Sequence, residues 1–113
     1  MRNDTVLLFT RSGLGHAPAE LQSKLVSKYL SLTLESQDLP NKIILYTEGV
    51  RLACEGSPVL EQLDQLEKAG VEIVLCQTCL EYFGLASQVK VGVVGGMGDI
   101  LEALQKAPKV ISL

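Results

Sequence analysis

The sequence predicts an α/β fold, a three-layer α/β/α sandwich around a five-stranded, mainly parallel sheet, built as one domain over residues 1–113. Three observations predict it. Short uninterrupted aliphatic runs, as expected of strands buried on both faces, recur along the chain and are separated by segments with helical spacing. Apolar residues make up 47% of the chain while aromatics make up 4% and Trp is absent, so the core is aliphatic, as in a sheet covered by helices. Strand and helix alternate throughout, and burial and handedness rules turn that alternation into a layered parallel sheet. With 113 residues there is room for one core and not comfortably for two.

Val6 to Thr10 reads as the first buried strand, stopped by Arg11-Ser12-Gly13. From Ala19 to about Glu35, Leu21, Leu25, Tyr29 and Leu32 fall at spacings of four, four and three, which predicts a helix with that face inward and Gln22, Lys24 and Lys28 outward. Pro18 sits where a first-turn proline is tolerated. After the turn Asp38–Asn41, Lys42 to Thr47 reads as the second strand. Ser57 as N-cap and Pro58 as first residue open the next helix, whose apolar side is Val59, Leu60, Leu63 and Leu66 and whose left-handed cap is Gly70.

Val71 to Leu75 is the third strand and Cys76 to Phe83 a short helix starting at its carboxyl end. Val89 to Val94 reads as the fourth strand, Asp99 to Ala107 as the fourth helix and Lys109 to Leu113 as a fifth, edge strand. Asp99 with Glu102 resembles a capping box, and Pro108 stops the helix.

Charge and composition narrow the function. A net charge of −3 and a pI near 5.1 argue against nucleic acid as a partner, and the ten Lys and Arg residues form no run. The acidic residues between Glu48 and Glu72 read as a solvated face, the alternative being an acidic surface that meets a basic carrier protein. No stretch resembles a signal peptide or a membrane span, and three cysteines without a secretory signal read as cytosolic thiols, so the expected location is cytoplasmic.

In open parallel sheets, reactive groups gather at the carboxyl ends of strands. Cys76-Gln77-Thr78-Cys79 falls there, opening a helix. Unpaired N–H groups and the partial positive charge of a helix start stabilise a thiolate, and Cys76 is the nearer of the two. The plain alternative is a pair of buried cysteines acting as small hydrophobes. Gly13-Leu14-Gly15 follows the first strand, but a dinucleotide fingerprint needs glycine where Pro18 stands, so it reads as a turn near the active end. Gly95-Gly96-Met97-Gly98 precedes the last helix and reads as a structural turn, since the Asp99 carboxylate competes for the amides an anion would use. Gly96 or Gly98 is expected at positive φ. His16 and Cys54 with Cys76 and Cys79 match a zinc ligand count, but three loops must converge, so no metal is expected.

Three segments carry a family resemblance. Tyr46 through Leu60, Gly70 through Leu85 and Val91 through Ile100 resemble, in order, the middle, the cysteine segment and the following turn of the C-terminal domain of YedF-type proteins, within the DsrE/DsrF-like family. With the Leu14-Gly15 loop, the resemblance spans nearly the whole chain. YedF-type proteins join a TusA-like domain to a DsrE-like domain and are associated with selenium metabolism; the resemblance here covers the DsrE-like half. It implies a parallel sheet between helices, assembly as a homo-oligomer (trimer, hexamer or dimer), and sulfane sulfur carried on the cysteine after the third strand, which Cys76 matches. Cys79 and Cys54 belong to the YedF-like pattern, and Cys79 has no counterpart in the TusD pattern.

The expectation is therefore sulfur relay: Cys76 carries a persulfide and exchanges it with a TusA-like carrier or a sulfur donor protein, without a cofactor. Cys79 would be the neighbouring thiol able to attack that persulfide, and Cys54 an accessory thiol. Gly13, Gly15, His16, Gly96 and Gly98 lie in loops that border such a site. A mean hydropathy of +0.26 fits extra apolar surface for an oligomer. The competing readings are a dithiol redox protein using Cys76 and Cys79, and a non-catalytic oligomeric binding module.

Overall fold

Five strands, β1 (Thr5–Phe9), β2 (Lys42–Leu45), β3 (Glu72–Cys76), β4 (Val93–Gly95) and β5 (Lys109–Ser112), form one sheet in the order β4-β3-β2-β1-β5 in the computed structural model, which describes residues 4–113. Every pairing is parallel, so the sheet is wholly parallel rather than mainly so. The helices are α1 (Ala19–Ser36), α2 (Leu60–Lys68), α3 (Gln77–Phe83) and α4 (Met97–Lys106). Two 3₁₀ segments, Thr47–Ala53 and Ala86–Gln88, complete the chain.

The topology follows from handedness. The steps β1 to β2, β2 to β3 and β3 to β4 run in one direction across the sheet, and right-handed crossovers put their helices on one face. The return from β4 to β5 runs the other way and puts α4 on the opposite face, over Val6, Ile44 and Val74. The central strands are aliphatic and buried along their length: Leu7, Ile43, Ile73 and Leu75 are enclosed together with Val26, Leu30, Leu63 and Leu66 from α1 and α2.

Several expectations need correction. On α1 the inward face is Val26, Leu30 and Thr33. Leu21, Leu25 and Leu32, expected inside, are 47%, 40% and 62% exposed. Both sets have helical spacing, and the structure selects the one rotated towards the sheet. Gln22, expected outward, is half-buried, and its side-chain amide donates to the Gly15 carbonyl oxygen at 2.7 Å.

The helix α2 starts two residues after Pro58, with the Ser57 hydroxyl accepting the Val59 N–H at 3.2 Å in the preceding turn. The fourth strand is shorter than expected because Val89 forms an antiparallel bridge with Cys54, and the Lys90 and Val91 N–H groups donate to the Ala53 carbonyl oxygen. The helix α4 starts earlier than expected, so Asp99 lies in its first turn rather than at the cap, and its carboxylate accepts the Gly96 N–H at 3.2 Å. Gly96 has φ −78° and Gly98 is helical, so neither takes the positive φ expected of it. Gly70 does, at φ 104°.

Candidate functional site

The sheet extends one residue further than the aliphatic run suggests, and that residue is Cys76. It ends β3, pairs in register with Gly95 of β4, and leads directly into α3. Its extended backbone, φ −66° and ψ 120°, makes it the turning point between strand and helix. As the last strand residue it is enclosed, with 0% of its surface exposed. An exposed helix-start thiol was expected; the structure places Cys76 at the helix start but buries it.

Cys79 stands one helical turn further along α3, on the same side as Cys76. It is partly exposed, and Cys76 is its neighbour at the start of the same helix. Its other partner comes from the segment after β2: the Thr47 N–H donates to Cys79 Sγ at 3.0 Å. Burial pushes the Cys79 thiol up, the Thr47 bond pulls it down, and the Cys76 sulfur pushes it up again through their hydrogen bond and its charge; the net direction is upward.

Thr47 is the residue that sequence reasoning missed. Its φ of 50° lies in the left-handed region, which a β-branched side chain rarely occupies. Two features hold it there. Its Oγ1 donates to the Thr10 carbonyl oxygen at 2.5 Å, with the Tyr46 carbonyl oxygen at 2.7 Å. Two residues on, Gly49 is buried against the end of β1, with its backbone so close that an added Cβ would meet the Phe9 carbonyl oxygen at 2.1 Å. The glycine after the second strand was the one sequence signal available, since such a residue marks close backbone approach.

The remaining candidates are placed by their own elements. Cys54 is buried, and its thiol donates to the Val50 carbonyl oxygen at 3.3 Å. Burial pushes it up, partly offset by the Arg51 guanidinium, the same net direction as at Cys79. Arg51 itself pairs with Glu48 and lies over the Phe83 ring at 4.6 Å. His16 is exposed in the loop after β1, a strand separated from β3 by β2. Gly13 is buried against the Gln22 backbone, and Gly15 takes φ 72° in the same loop. Gly96 follows Gly95, the register partner of Cys76, and with Gly98 forms the start of α4, where Asp99 already takes the Gly96 amide.

Among the described residues, no group of three or more His, Cys, Asp or Glu side chains is placed to hold a metal ion. No helix among them is long and apolar enough to cross a membrane. A groove that no cysteine lines runs beneath α4 near the amino ends of the strands, with Val6, Ile44 and Val74 as its floor and Lys42, Glu72, Glu102 and Lys106 on its rim.

A family model described as the DsrE/DsrF-like family matches residues 7–113. Comparison with curated proteins gives no match. Solved structures share the fold. The YchN protein from E. coli superposes with a TM-score of 0.71 at 18% identity, covering 100% of each chain. The protein of unknown function MTH1491 from Methanobacterium thermoautotrophicum gives 0.69 at 17% identity, covering 96% of this chain and 97% of that one. The conserved protein of unknown function BT1422 from Bacteroides thetaiotaomicron gives 0.64 at 23% identity, covering 98% of this chain and 96% of that one.

Proposed function

The chain belongs to the DsrE/DsrF-like family, and on that premise we propose that it is a sulfur-relay protein of YedF type, carrying sulfane sulfur as a cysteine persulfide on the Cys76/Cys79 pair. The family is linked to sulfur relay in general. The observation that carries the reading for this chain is the adjacency of two thiols at the carboxyl end of β3, one buried and one partly exposed. A buried sulfur protects a stored persulfide from water and stray thiols, and its exposed neighbour gives exchange partners access. The enclosed position at the strand-to-helix turn favours Cys76 as the storage atom.

The exchange partner is proposed to be a TusA-like carrier or another sulfur donor protein in the cytoplasm, in sulfur or selenium metabolism. Transfer keeps the oxidation state of the mobile sulfur, so no cofactor is required: a thiolate attacks the outer sulfur of a persulfide and the donor leaves as a thiolate. The working form is proposed to be a homo-oligomer. Two apolar surfaces support this: Leu21, Leu25 and Leu32 along α1, and Val93, Val94, Met97 and Leu101 on β4 and α4, all exposed.

The reading is tested by incubating the protein with a sulfane-sulfur donor and weighing it. The expected product is one sulfur atom heavier, with the adduct localised to the peptide holding Cys76 and Cys79. Cys76→Ser should remove the adduct from position 76. A wild-type protein that never gains the adduct overturns the reading.

The same adjacency favours a second reading, a dithiol redox protein in which the pair cycles between thiols and disulfide. A reduction potential near those of dithiol reductants, together with insulin reduction, would support it over relay.

A further inference from the structure

We propose that Cys79 is the thiol that takes sulfane sulfur from outside the protein and hands it to Cys76, and that Thr47 is the positioning residue that holds the Cys79 sulfur for both steps. This inference rests on the sulfur-relay reading and adds an order of events within the pair. Three observations carry it: access, strain and the direction of one N–H group.

Access separates the two thiols. Attack on a persulfide requires the donor sulfur to come into line with the attacking one. Cys76 presents no surface to a donor, whereas Cys79 is partly exposed and borders Thr47, which is exposed. Cys76 and Cys79 stand one turn apart at the start of α3, so sulfur that reaches Cys79 has a short path inward.

The strain at Thr47 has one evident product. A left-handed φ on a β-branched residue persists only where its surroundings over-determine it. Here the hydroxyl is tied to the Thr10 carbonyl oxygen, and Gly49 lets the same segment press onto the end of β1. The conformation turns the Thr47 N–H onto Cys79 Sγ at 3.0 Å. An N–H donor is worth most when the sulfur is anionic, which is the state both before attack and after departure. The charged side chains on the two elements that form this contact are otherwise engaged: Glu48 pairs with Arg51, and Glu81 accepts from Gln77.

The chemistry balances without an added oxidant or reductant. In the first step the Cys79 thiolate attacks the outer sulfur of a donor hydropersulfide; a Cys79–S–SH bond forms and the donor leaves as its thiolate. In the second, the Cys76 thiolate attacks that outer sulfur, Cys76–S–SH forms, and Cys79 leaves as a thiolate accepting the Thr47 N–H. One anion is consumed and one released in each step.

The test loads the whole chain with glutathione hydropersulfide, quenches it with iodoacetamide over a time course, and localises the adduct by fragmentation. The expected result is label on Cys79 before Cys76, adduct trapped on Cys79 in Cys76→Ser, and several-fold slower loading of Cys76 in Cys79→Ser. In the Cys76→Ser background, Thr47→Val removes the hydroxyl anchor. The pH midpoint for alkylation of Cys79 should then rise by about one unit, an approximately tenfold lower rate at neutral pH, and Thr47→Ser should restore it. If Thr47→Val does not fold, Thr47→Gly, which tolerates the same φ but lacks the anchor, carries the same expectation. A merely structural Thr47 would lower the melting temperature and leave the alkylation profile in place, which overturns its assigned role. Adduct on Cys76 ahead of Cys79 overturns the order while leaving sulfur relay intact; no adduct on either thiol overturns both.

Discussion

Gly49 and Phe9 meet backbone to backbone: a Cβ on Gly49 would stand 2.1 Å from the Phe9 carbonyl oxygen and 2.8 Å from its carbon. No side chain fits that gap, and the atoms it would strike belong to the end of a central strand. This contact seats the 3₁₀ segment Thr47–Ala53 against β1 and so determines where the Thr47 N–H points.

Gly49→Ala should therefore destabilise the fold by about 1–3 kcal/mol, the usual cost of forcing an atom into packed surroundings. It should also loosen the Thr47–Cys79 bond and change the rate of Cys79 alkylation. Urea unfolding with a parallel alkylation assay checks both, and an unchanged midpoint with unchanged labelling contradicts the packing described.

The face of α1 can be tested by truncation. Leu30→Ala removes a fully buried side chain and should cost about 2–5 kcal/mol. Leu32→Ala, on the exposed side, should change subunit stability by no more than about 0.5 kcal/mol. Leu25→Glu with Leu32→Glu should leave the far-UV spectrum intact while shifting sedimentation towards the 12.2 kDa chain, if that stripe joins subunits. Equal losses from Leu30→Ala and Leu32→Ala would contradict the observed face.

How far the sequence carries is clearest at these same residues. The order of strands and helices was legible because each strand is a short aliphatic run, such as Ile43–Leu45 or Ile73–Leu75, and each helix has its own spacing. The inward face of α1 was not: Leu21, Leu25 and Leu32 form as good a stripe as Val26, Leu30 and Thr33, and only packing against the sheet decides between them. Cys76 and Cys79 were legible as a pair from their spacing after a strand. The burial of Cys76 was not, because it depends on β3 extending one residue to pair with Gly95. Thr47 was illegible for a different reason. Nothing in a threonine announces a left-handed backbone; the Thr10 carbonyl and the Gly49 contact impose it, and both come from the assembled fold.

Cys54 gives a prediction with a definite sign. Burial pushes its thiol up, with a smaller opposing pull from Arg51, so the folded state holds that proton more tightly than the unfolded chain does. The associated stability is fully present below the ordinary thiol range and is lost as pH rises from about 8.5 through the folded value. Unfolding free energy measured against pH should fall above about pH 9, and the fall should be shallower in Cys54→Ser, whose hydroxyl still has the Val50 carbonyl oxygen as a partner. Identical slopes for the two proteins would remove Cys54 from the account.

The last prediction concerns what the pair does when no acceptor arrives. A persulfide on Cys76 has Cys79 beside it, and a Cys79 thiolate can attack either sulfur. Attack on the outer atom moves the sulfur back to Cys79 and loses nothing. Attack on the inner atom forms the Cys76–Cys79 disulfide and expels hydrosulfide, so the atoms balance without an external oxidant. The thiols stand one turn apart at the start of α3, where Cβ atoms are about 5–6 Å apart, and closing them to a disulfide asks for a small adjustment of that turn. Loaded wild-type protein left without acceptor should therefore release sulfide slowly and end two hydrogens lighter than the reduced chain. In Cys79→Ser the adduct, once formed, should persist, since no second thiol stands at that position. The two species differ in mass and in reactivity towards a phosphine reductant, so one time course followed by mass spectrometry resolves them. Sulfide release from Cys79→Ser at the wild-type rate would mean that water or free thiol, not Cys79, discharges the stored sulfur.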